Sequence, residues 1–93
     1  MRISDRERQA IKDVIFRHDP DAKVYLFGSR VDDQSRGGDI DLLILSQAIT
    51  ELERRMLKIE LYDCLGEQKL DLVIAKDLSK PFVRIAFQKG ELL

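Results

Sequence analysis

Gly38-Asp39-Ile40-Asp41-Leu42-Leu43-Ile44-Leu45 decides how the rest of the chain is read. From Ile40 to Leu45 the run is almost wholly apolar and too short for a typical helix. That length suits a strand covered on both faces, at the centre of a sheet. Asp39 and Asp41 interrupt it at its start, two residues apart. In a strand such residues point to the same face, so the spacing sets two carboxylates side by side.

Working outward, Lys23 to Phe27 (KVYLF) is rich in β-formers and ends at Gly28-Ser29, a strand running into a turn. Between them Arg30 to Gly38 is polar with paired glycines, hence a loop. Further upstream, Ser4 with Glu7 forms a capping box. It opens a helix whose Ala10, Ile11, Val14 and Ile15 share a face, stopped by Asp19-Pro20. Downstream, Thr50 and Glu53 predict a second capping box and a helix to about Leu65, with Gly66 as its C-cap. That helix carries two stripes: Leu52, Met56 and Ile59, and Leu57, Leu61, Cys64 and Leu65. Leu70 to Ala75 (LDLVIA) reads as a third strand. Ser79 is expected to cap a last helix with Pro81 in its first turn, running to about Gln88. The order α-β-β-α-β-α predicts an α/β (α+β) fold, a small mixed sheet covered by helices, with residues 1–93 as one domain.

Composition narrows the function. Apolar residues are 44% and charged residues 35%, with a formal net charge of −1. A globular domain fits, and the absence of a basic excess argues against a nucleic-acid partner. The one cysteine, Cys64, allows no internal disulfide and suits a reducing setting. Met1 to Ala10 has no signal-peptide core, and no run approaches the ~20 apolar residues of a membrane span. A cytoplasmic protein is expected.

Three features carry the chemistry: Gly28-Ser29, Asp39-x-Asp41, and Asp71 between Leu70 and Leu72 on the next strand. Adjacent carboxylates repel unless something positive sits between them. Mg²⁺ answers that need, with one or two carboxylates completed by substrate phosphates. Asp71 would complete a site for two metals roughly 3.5–4 Å apart, and could also accept the proton of an attacking hydroxyl. Gly28 lets the backbone approach a ligand closely, Ser29 offers a hydroxyl and an N–H to phosphate, and Arg30 adds positive charge. Taken singly, each fits a plain turn, a pair of solvated acids, a satisfied strand polar group or a loop cation. Their coincidence, with three acids beside apolar strand residues, points to one site.

The stretch Phe27-Gly28-Ser29-Arg30 … Gly38-Asp39-Ile40-Asp41-Leu42-Leu43-Ile44 resembles the signature of the polymerase β-like nucleotidyltransferase superfamily, closest to its stand-alone minimal nucleotidyltransferase (MNT) domains. Asp71 matches the later strand Asp of those domains. Nine residues separate Ser29 from Asp39, one fewer than the commonest family spacing. The resemblance implies that Gly28, Ser29 and Arg30 bind the triphosphate of ATP and that Asp39, Asp41 and Asp71 hold Mg²⁺ and serve catalysis. It also implies a HEPN-domain toxin as partner, with this chain its antitoxin, transferring AMP to a tyrosine hydroxyl on the toxin. The alternative is a nucleotide-binding antitoxin that masks its partner without turnover; a small-molecule transferase fits less well, for want of a second domain to hold the acceptor. The doubly apolar helix Thr50 to Leu65 and the closing Leu92-Leu93 are candidate docking surfaces for a partner or a second copy, or else a core helix and a frayed tail. His18 is expected to complement the helix dipole. Cys64 is expected to be a small buried hydrophobe, Tyr25 and Tyr62 packing residues, and Arg54-Arg55 a solvated helix face.

Overall fold

The computed structural model describes residues 3–28, 40–66 and 69–93. Along the chain run α1 (Asp5–His18), β1 (Lys23–Phe27), β2 (Ile40–Leu45), α2 (Glu51–Leu65), β3 (Leu70–Ala75), α3 (Pro81–Lys89) and β4 (Glu91–Leu92). The strands form one mixed sheet in the order β3-β2-β1-β4. β1 runs antiparallel to both β2 and β4, whereas β2 and β3 are parallel, as a helical crossover through α2 requires.

Local signals set most element ends. The Ser4–Glu7 capping box forms in both directions at the start of α1. At α2 only half of the expected box is present. The Thr50 hydroxyl accepts from the Glu53 N–H at 3.2 Å, but the Glu53 carboxylate turns to the Thr50 hydroxyl and to His18. Gly66 ends α2 at φ +81°, a left-handed turn that suits glycine. The cap of α3 is Lys80, not Ser79, and no side chain bonds there. Ser79 is held one residue too early, its N–H donating to Asp77 Oδ1 at 3.0 Å.

Strand alternation sorts the sheet into two faces. Val24, Leu26, Ile40, Leu42, Ile44, Leu70 and Leu72 join α1 and α2 in the larger core. Tyr25, Phe27, Leu43, Leu45, Val73 and Ala75 face α3 and pack with Val83, Ala86 and Phe87. The sheet is thus sandwiched, as the mixed α/β reading anticipates.

Several side-chain expectations need correction. Of the two stripes on α2, Leu57, Leu61 and Leu65 are buried, while Leu52, Met56 and Ile59 lie exposed on the opposite side of the helix. Cys64 is exposed, because α2 runs antiparallel to α1 and its end meets a cleft beside Ser4 and Glu7 rather than apolar partners. Tyr25 does pack, edge-to-face on Phe87 at 5.0 Å, whereas Tyr62 is exposed. Arg55 is solvated, but Arg54 reaches across and donates to the Leu72 carbonyl at 3.2 Å. The closing residues are no frayed tail: Glu91–Leu92 pair with β1, the Leu93 N–H donates to the Val24 carbonyl at 2.9 Å, and the Leu93 side chain is buried. Leu92 itself points to solvent.

Candidate active site

The site is assembled at one end of the sheet. β2 and β3 both begin there, and β1, running the other way, delivers Gly28 to the same end. Asp41 on β2 pairs in register with Asp71 on β3 and with Phe27 on β1. Facing residues on paired strands share a side of the sheet, so both carboxylates stand on the α3 face. Neighbouring strands lie about 4.8 Å apart, which makes these two acids immediate neighbours. Asp71 is exposed and Asp41 half-buried.

Gly28 adopts φ +76°, in the left-handed region. A Cβ built there would run into the Asp41 carboxylate, which lies against the glycine backbone. The strand-end glycine therefore serves two ends: it makes the turn, and it leaves the space in which the Asp41 side chain is seated. Sequence reasoning finds the glycine but assigns the space to a ligand, whereas the first occupant is an aspartate of the same chain.

Asp39, Ser29 and Arg30 lie outside the described residues. What is described brings Gly28, Asp41 and Asp71 together and leaves those three without a structural test. Among the described residues no group of three or more side chains is set to hold a metal ion. The Asp41–Asp71 pair nevertheless has the right chemistry: hard oxygen donors, two in number, on one face and open on the Asp71 side. That is the set from which Mg²⁺ is bound together with phosphates.

An aromatic pair flanks the acids. Phe27, beside Asp41, meets Phe82 of α3 edge-to-face, with centroids 6.3 Å apart and planes at 81°. Phe82 is 58% exposed all the same. Sequence reading passes over Phe82. Its signal is an aromatic just after Pro81, one turn before the buried Ala86 and so on the same side of the short helix.

His18 stands in the last turn of α1, where it suits the helix dipole, and it has a further structural role. Its Nδ1 lies 3.3 Å from Glu53 Oε2 and its Nε2 2.9 Å from Glu60 Oε2, so it clamps α1 to α2. The hydrogen bond to Glu60, and then that to Glu53, hold its pKa above the ordinary value against the opposing effect of burial. Only the imidazolium can donate from both nitrogens. Glu53 and Glu60, seven residues apart on one helix face, are the signal that sequence reading leaves unused.

A glycine turn thus stands beside a carboxylate pair at one end of the sheet. The family model described as Polymerase beta, Nucleotidyltransferase matches residues 9–93, and the chain belongs to that family. No curated protein matches the chain. Members of the superfamily act on nucleotides with a divalent metal. No helix among the described residues is long and apolar enough to cross a membrane.

Proposed function

We propose that this chain is a minimal nucleotidyltransferase that transfers AMP from ATP to a tyrosine hydroxyl of a HEPN-domain toxin and thereby acts as its antitoxin in the cytoplasm. The observation that carries the transferase reading is the registered pair Asp41–Asp71, with Asp41 seated on Gly28. Asp39, Asp41 and Asp71 would hold Mg²⁺, in a two-metal arrangement, and Gly28, Ser29 and Arg30 the triphosphate. Bound there, the metal neutralises phosphate charge and makes the acceptor hydroxyl more acidic. The hydroxyl oxygen attacks the α-phosphorus, a new P–O bond forms, and the bond to the bridging oxygen breaks to release pyrophosphate. Asp71, exposed at the open side of the pair, takes the hydroxyl proton.

A second reading is masking of the toxin without turnover. The exposed stripe Leu52, Met56 and Ile59 on α2 favours it, since such a face suits a protein partner. The two separate in one experiment. The chain is incubated with ATP, Mg²⁺ and the HEPN protein, and intact-mass spectrometry is read beside toxin activity. Transfer predicts an adenylate added to the toxin and lost with Asp71→Asn, together with neutralisation. Neutralisation by Asp71→Asn with no adduct would leave masking as the mechanism.

A further inference from the structure

Further along β3 from Asp71, a cleft of about 550 Å³ opens between residues 73–77 and the start of α3. We propose that it is the nucleobase subsite, an inference that rests on the reading of Asp41 and Asp71 as the triphosphate and metal end. Val73 and Val83 supply apolar walls, Phe82 an aromatic one, and Lys76, Asp77, Ser79 and Lys80 a polar rim. A flat ring system with hydrogen-bonding edges matches that lining, and the volume falls in the range of small-molecule sites.

Position makes the match specific. Val73 follows Asp71 by two residues on β3 and shares its face, about 7 Å further along the strand. A triphosphate anchored at the acids therefore brings its base, by way of the ribose, over Val73 and against Phe82. The contact between Phe82 and Phe27 is edge-to-face rather than stacked, so Phe82 retains more than half of its surface for a base. The clefts lined by Ser46 and Gln47 lie past the other end of β2, about 16 Å or more along the strand from Asp41. A base held mainly by stacking is bound with little choice among bases, because every base offers a π-face.

The test compares ATP with inorganic tripolyphosphate, both with Mg²⁺, by isothermal titration of the full chain. ATP should bind about tenfold more tightly, as expected from the low end of base–aromatic stacking. Phe82→Ala should abolish that advantage and leave tripolyphosphate affinity unchanged. The chain has no tryptophan, so Phe82→Trp introduces a single reporter, and its fluorescence should be quenched by ATP but not by tripolyphosphate. Equal affinity for the two ligands with an unresponsive indole would overturn the base subsite while the triphosphate site stands. If neither ligand binds, the triphosphate site and the base subsite fall together.

Discussion

The two faces of the sheet are built from the same strands, yet they do different work. Toward α1 and α2, β2 presents Ile40, Leu42 and Ile44, all fully buried, and β3 adds Leu70 and Leu72. One residue out of phase, the α3 face presents Asp41, Leu43 and Asp71, and among the described residues the nine-residue α3 is the helix that packs on it. Two long helices cover one face, and among the described residues one short helix packs on the other, which carries the acids at one end. Strand periodicity lets a single hexapeptide, Ile40–Leu45, contribute to the core with alternate residues and to the site with one of the others. The larger core and the candidate site are separated by direction, not by distance along the chain.

That separation can be broken at either face. On the α3 face, Asp41→Asn keeps the shape seated on Gly28 and removes the charge. Nucleotidyl transfer should fall by about 100-fold or more, within the range for loss of a catalytic group, with the melting temperature unchanged. Full activity in a steady-state assay would show that Asp41 is not part of the machinery. On the opposite face, Leu42→Ala should cost about 3 kcal/mol in urea denaturation by opening a cavity, while the remaining folded protein keeps its ATP affinity. A cost under about 1 kcal/mol would show that this face is not close-packed.

The clamp between α1 and α2 gives a smaller, pH-dependent effect. The folded-state pKa of His18 is raised above its unfolded value near 6.5, so its contribution is complete below about pH 6.5. It declines as pH rises through the folded pKa. The melting temperature of the wild type should therefore drop between pH 6 and 8, and His18→Gln should flatten that slope. An unaltered slope would remove His18 as its source. Smallest of all is the effect on α2's own outer side. Ile59→Ser should change stability by less than about 0.5 kcal/mol, against several for Leu57→Ala on the buried stripe. A larger loss at Ile59 would mean that the outer stripe is covered.

What was legible in the sequence follows the same division. The strand runs Lys23–Phe27, Ile40–Leu45 and Leu70–Ala75 were readable because length and composition alone mark a covered strand. The Ser4–Glu7 box was readable because all its partners lie within four residues. Features set by distant contacts were not. Two residues of β4 carry no periodicity, and only their pairing with β1 defines them. Cys64 sits at helical spacing with Leu57 and Leu61, but what it meets depends on where α1 begins. The two stripes on α2 are equally apolar in sequence, and only the packing shows which one the sheet takes. Of the site, the motif gave Gly28, Asp41 and Asp71. The register that makes the acids neighbours, and the cleft beside Phe82, came only from the folded arrangement.

The pairing of β4 sets an order of events in time. β1 lies between β2 and β4, and residues 91–93 follow α3 in the chain, so they leave the ribosome after the other three strands of the sheet. Until they emerge, β1 exposes one unpaired edge, although everything from α1 to α3 has already been made. Synthesis adds roughly 5–20 residues per second, so the half-finished sheet has only a brief interval in which to find a wrong strand. The backbone hydrogen bond from Leu93 to Val24 closes that interval, on the strand that leads into Gly28.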